Sequence, residues 1–244
     1  MMGPSFELIL TREDAAMNRN SRFVGGRKGL VAASVLASVA VMTVSAAPVV
    51  TYDTELYDPQ TTAYANGAEI GDDVQMDPDI TYAGLTQFKF SYTAFGLLLP
   101  DDASITFRLY KLDGANGTPG TQLFEQSGIP MQGSSAGPLQ VTLDLGTEAA
   151  PLWTPSNIGW TVEFLNTHPI YTNPGLVAAN TTVGSSLNTY FVKTSSGWEL
   201  AQLSGGSIPG TFEATVLAVP EPSVTQLGLI GLVMLFGGRF LRRK

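Results

Sequence analysis

"SITFRLYKLDGANGTPGTQLFEQ", residues 104–126, decides the fold. Ile105, Phe107 and Leu109 alternate with Thr106, Arg108 and Tyr110. A period of two marks a strand with one face buried and one wet. Asp-Gly, Asn-Gly and Pro-Gly then crowd residues 113–120. Such pairs supply the positive φ angles of tight turns. "QLFEQ" follows as the returning strand.

The same alternation recurs outward from this unit. Phe88, Phe90 and Tyr92 alternate with Gln87, Lys89 and Ser91 in residues 86–92. Leu139, Val141, Leu143 and Leu145 alternate with Gln140, Thr142 and Asp144. Trp160, Val162 and Phe164 alternate with Thr161 and Glu163, and "FEATVLA" at 212–218 continues the pattern. Shorter candidates lie at 48–53, 121–126 and 188–193. Gly- and Pro-rich turns such as "SGIPMQGSSAGP" and "SGGSIPG" separate them, and no long amphipathic helix is evident. Six or more antiparallel strands with such turns predict an all-β chain, an antiparallel β-sandwich of jelly-roll type.

Charge divides the chain of 244 residues more sharply than its net −8 conveys. Residues 47–219 hold only Lys89, Arg108, Lys111 and Lys193 against 17 Asp and Glu, a net −13. Such a surface repels phosphate, so nucleic acid is not expected as a partner. There is no cysteine, hence no disulfide framework and no thiolate chemistry.

The bases collect at the two ends. Residues 30–44, "LVAASVLASVAVMTV", form an uncharged apolar run after "RNSRFVGGRK" and before "SAAPVV". These are the parts of a secretory signal peptide, residues 1–46, with Val44 and Ala46 before the cut. Met17 is the expected native start, because it gives a shorter n-region without Glu7, Glu13 and Asp14. An exported domain over 47–218 should follow.

Residues 219–244 read "VPEPSVTQLGLIGLVMLFGGRFLRRK". Proline lacks a backbone donor, so Pro220-Glu221-Pro222 should stand extended and accessible. Residues 224–236 are apolar apart from Thr225 and Gln226. As a helix, thirteen residues span only about 20 Å of a hydrocarbon core about 30 Å thick. Arg242, Arg243 and Lys244 should stay cytoplasmic. The expectation is a short transmembrane helix that tethers a precursor, with Pro-Glu-Pro just outside the bilayer.

These three parts in this order resemble a PEP-CTERM sorting signal. The resemblance implies recognition by an exosortase, a membrane-embedded transpeptidase-like enzyme of bacteria that make extracellular polysaccharide. It implies removal of the tail near Pro-Glu-Pro and delivery to the cell surface or matrix. The sorting residues it implies are Val219, Pro220, Glu221, Pro222, Arg242, Arg243 and Lys244. Glu221 is then a recognition residue and not a catalytic acid. Residues 105–126, and more weakly "GAEIGDDVQM" with "ITYAGLTQFKFSY", are similar to choice-of-anchor β-sandwich domains. That likeness implies a fold and no activity.

Nothing in the sequence calls for an enzyme. The only histidine, His168, sits in "LNTHPIYTNPG", a turn-like setting without a nucleophile elbow elsewhere. A zinc site needs several His or Cys ligands. Asp72, Asp73, Asp77 and Asp79, close to Glu69, are the residues that would suit calcium; a plain solvated turn is the other reading. Asp144 and Glu163 are the carboxylates a glycoside hydrolase would need, and solvation accounts for both. Trp160 reads as core. Trp153 and Trp198 stand in loop or edge contexts and are the candidates for stacking on sugar rings. The function expected is therefore a non-enzymatic protein of the cell surface or extracellular matrix. The alternative is a polysaccharide-binding module there.

Overall fold

The computed structural model describes residues 47–57, 62–65, 67–78, 81–94, 99–133, 137–167 and 173–220. All of them lie in the unit spanning Val44–Arg239. The strands are β1 (Val49–Leu56), β2 (Thr62–Tyr64), β3 (Ile70–Gln75), β4 (Tyr82–Thr93), β5 (Ser104–Lys111), β6 (Gln122–Pro130) and β7 (Leu139–Asp144). They continue as β8 (Leu152–Pro155), β9 (Asn157–Leu165), β10 (Gly175–Val177), β11 (Ala179–Val183), β12 (Tyr190–Thr194), β13 (Gly197–Ala201) and β14 (Ala214–Pro220).

They form two sheets. Sheet A runs β11-β1-β14-β4-β10-β2, and β7 and β8 also pair with β4. Sheet B runs β13-β12-β3-β9-β5-β6. Every pairing between these strands is antiparallel. The chain crosses repeatedly from one sheet to the other, a jelly-roll-like antiparallel sandwich.

Large rings fill the space between the sheets. Phe88 and Phe90 of β4 meet Phe107 of β5 and Trp160 of β9, with ring centroids 4.9–5.7 Å apart. All four are essentially inaccessible to water. Tilted and offset rings at such distances add about 0.5–1.5 kcal/mol per pair to the apolar burial. Phe88, Phe90, Tyr92, Ile105, Leu109, Val162 and Phe164 are buried as the period-two reading expects, but Ser91, Thr106, Tyr110 and Thr161, expected on the wet face, are buried too.

The opening hairpin is β5, a short 3-10 turn at Ala115–Gly117, and β6. Positive φ occurs in the loop at Asn116 (57°) and Gly117 (74°), and again within β6 at Gly128 (71°). Gly114 and Gly120 serve a different need. A Cβ on Gly120 would overlap Asp113, whose carboxylate accepts from Thr121 N at 2.6 Å and Thr121 Oγ1 at 2.7 Å. Asp113 thus closes the loop as a local hydrogen-bond acceptor.

Two expectations are corrected. Residues 70–75, "IGDDVQ", are not a solvated turn: they form β3, bonded to β9 and β12. Aspartate is depleted in strands, which hid it. The last strand also runs past residue 218. β14 continues through Val219 and Pro220, which pair with Gly84 and Ala83. Val219 is buried. Proline needs no donor at the last position of a strand, so the ladder tolerates it there.

Candidate functional site

The end of β14 is where the fold meets the sorting residues. Ala218 is flanked by Val49 of β1 and Leu85 of β4. Val219, Gly84 and Trp153 stand side by side on β14, β4 and β8. A Cβ on Gly84 would lie 2.5 Å from Pro151 Cγ and 3.4 Å from Trp153 Cη2. Glycine is therefore what lets Pro151 and the indole close over β4. Pro220 is the last residue of β14, so no residue separates the strand from the motif. Glu221, Pro222, Arg242, Arg243 and Lys244 lie outside the described residues. So do the cleavage residues Val44 and Ala46, the start at Met17, and the apolar runs at 30–44 and 224–236. Among the described residues no helix is long and apolar enough to cross a membrane.

A second cluster sits on β3. Asp72 Oδ1 accepts from Asp73 N at 2.8 Å and Ser186 Oγ at 3.1 Å, and Asp72 Oδ2 accepts from Phe212 N at 2.9 Å. Asp73 Oδ1 accepts from Leu187 N at 2.9 Å and Ser186 Oγ at 3.1 Å. Burial pushes the Asp72 carboxyl well above the usual range, and the neighbouring Asp73 adds to the shift. Burial also raises Asp73, against hydrogen bonds from Leu187 and Ser186. The pair therefore holds a proton to higher pH than ordinary aspartates. A protonated Asp72 can donate to Ser186 Oγ, which frees the serine proton for Asp73. Asp73, Gln75, Asn157, Ser185 and Ser186 line a cleft of about 240 Å³ beside this pair.

This arrangement ties the segments around Ser186 and Phe212 onto the middle of sheet B. It uses the carboxylates as acceptors for N–H and O–H groups. Asp77 lies beyond the strand, and its backbone N donates to Thr51 O at 3.1 Å. Asp79 lies outside the described residues. Among the described residues no group of three or more His, Asp or Glu side chains is placed to hold a metal ion.

A third cluster, which sequence reading missed, lies across β12, β3, β9, β5 and β6. Glu69, just before β3, is buried. It pairs with Arg108 Nη1 at 3.1 Å and Lys193 Nζ at 2.8 Å. It also accepts from Thr161 Oγ1 and Tyr110 Oη. Arg108 reaches on to Glu125 at 2.8 Å and Glu163 at 2.9 Å. Burial alone would raise the Glu69 carboxyl. Hydrogen bonds from Lys193 and Thr161, with the charge of Arg108, outweigh it and hold the group below its ordinary value. No local motif announces this network, because its members come from four strands and from Glu69, just ahead of a fifth.

The remaining candidates scatter. Asp144 is on β7 of sheet A and is met by Gln87 Nε2 at 3.3 Å. Glu163 is on β9 of sheet B, so the two carboxylates do not share a sheet. Trp153 is half exposed on sheet A. Trp198 belongs to β13 of sheet B, in T-shaped contact with Tyr110 and Phe191. Lys193 Nζ lies 5.3 Å above its ring. The two tryptophans thus form no common platform. His168 lies outside the described residues.

Residues 218–244 match the family model of the PEP-CTERM protein-sorting motif. The match does not reach the choice-of-anchor-like stretch at 105–126. No curated protein and no solved structure matches the chain. The motif implies an exported protein with a membrane-anchored precursor that an exosortase sorts. Its first residues are the last residues of β14. The chain therefore carries a PEP-CTERM protein-sorting motif that begins inside a central strand of its sandwich.

Proposed function

We propose that this is a non-enzymatic protein of the cell surface or extracellular matrix, delivered there by exosortase. The observation that carries the reading is the motif match at 218–244 on the last strand of an acidic β-sandwich. The tail serves as an address and is removed on the far side of Pro220. A cut within 214–220 would take residues from a strand bonded to β1 on one side and β4 on the other. Cleavage beyond Pro220 leaves both ladders whole.

Glu221 and the basic tip then have separate roles. Glu221→Ala leaves the apolar run and the terminal charges intact, so insertion survives and recognition fails. Uncut precursor accumulates in the membrane. Neutral replacements of Arg242, Arg243 and Lys244 weaken the topological stop, so the protein slips through soluble and uncut. Membrane fractionation with immunoblotting reads both outcomes. Normal processing of Glu221→Ala contradicts the assignment. The sugar-binding alternative keeps its own test, retention of the mature protein on the polysaccharide of its own cells.

A further inference from the structure

The chain's exit point is surrounded by apolar side chains that the core does not use. At the end of sheet A where β14 stops, Val49 is 44% exposed, Val50 47%, Tyr82 50% and Trp153 50%. Their strands fix them together. Val49 pairs with Ala218, Val50 with Leu217, Tyr82 with Pro155, and Trp153 with Gly84 beside Val219. No charged residue occurs in 47–52, 81–88, 151–157 or 217–220. The wider domain, residues 47–219, is strongly acidic. A neutral, aromatic end on such a domain is a local exception.

Chain length says what faces it. Only residues 221–223 separate Pro220 from the apolar run that starts at 224. Four Cα steps reach at most about 14 Å. The headgroup layer outside the hydrocarbon core is itself about 5–8 Å deep. A precursor held by that run keeps this end of the sheet within the headgroup layer or at most about 6–9 Å beyond it. Trp and Tyr are the residues that favour the lipid interface, with the ring among acyl carbons and the polar atom towards water.

We propose that Val49, Val50, Tyr82 and Trp153 seat this end of sheet A in the lipid interface of the tethered precursor. The seat fixes Glu221 at the membrane surface, where a membrane-embedded enzyme can reach it. The proposal rests on the tethered-precursor reading above. The contact is apolar and carries no cation, so it gains nothing from anionic lipid.

The test uses the full chain with Trp198→Phe, in phosphatidylethanolamine–phosphatidylglycerol vesicles containing lipid brominated near the headgroups. Trp153 and the buried Trp160 remain as emitters. Bromolipid should quench the emission. Trp153→Phe should abolish that quenching while Trp160 emission, the internal check on folding, persists. Vesicles of phosphatidylcholine alone should behave alike. A protein that floats with vesicles after an alkaline wash but shows no quenching overturns the seat and leaves the tether standing. Trp153 is then covered by a second copy, by another part of the chain or by polysaccharide. A protein that does not float removes the tether, and the seat with it.

Discussion

Glu69 and Asp72 lie three residues apart at β3, both out of water, and they ionise in opposite directions. Glu69 faces Arg108 and Lys193. Its carboxyl is held below the ordinary range despite burial. Asp72 receives only N–H and O–H donors and has Asp73 as its charged neighbour. Its carboxyl is pushed up. Burial raises both groups; the charge of the partners decides the sign. An anchored anion thus stands just ahead of β3, and an acid with a raised pKa stands within it.

Removing the cation should break the comparison most severely. Arg108→Met leaves Glu69 and Glu163 with Lys193 as the only cation in the network. Stranding a buried carboxylate costs about 3–5 kcal/mol. Urea unfolding of the full chain should show a loss of that size. A loss no larger than that of an exposed salt bridge would mean that Glu69 does not depend on Arg108.

Asp72→Asn should have a middle effect. It puts an amide where Phe212 N or Ser186 Oγ now finds an acceptor, which costs about 1–3 kcal/mol. The pH dependence sharpens the reading. With a raised folded value, Asp72 contributes fully below the ordinary aspartate value of about 3.9. That contribution is lost as pH rises through the folded value. Glu69 has the opposite sign: its contribution is present above about 4.3 and is lost as pH falls through its lowered value. Stability should therefore peak in mild acid. Asp72→Asn should flatten the alkaline side and Glu69→Gln the acid side, read as unfolding midpoints across pH. An unchanged alkaline slope in Asp72→Asn would contradict the assignment.

Lys193→Met should do least. Its side chain is 48% exposed. Its exposed ammonium is screened by water and salt, and Arg108 stays on the buried Glu69, so the loss should be about 1 kcal/mol. A loss equal to that of Arg108→Met would show that the two cations share Glu69 evenly.

The sandwich was legible because Phe88, Phe90, Phe107 and Trp160 each fall on a period-two position of a long strand. β2, β8, β10, β11 and β13 have three to five residues each. That is too short for alternation to register. β3 failed for another reason. Its two aspartates look solvated until Ser186, Leu187 and Phe212, more than a hundred residues away, supply donors. The sorting tail was legible whole, because its parts are contiguous and need no tertiary partner. Its entry into β14 was not, since proline argues against a central strand. The ladder ends at Pro220, where the missing donor leaves no gap.

The central claim is that the address in residues 219–244 is cut beyond Pro220, outside a finished fold. Intact-mass measurement of the mature native protein tests it most directly. The account predicts a chain that begins near Ala47, retains Pro220, and lacks Arg242, Arg243 and Lys244. A mature chain that keeps those three residues makes the tail a permanent anchor. One that ends before Pro220 would contradict β14 as the last intact strand.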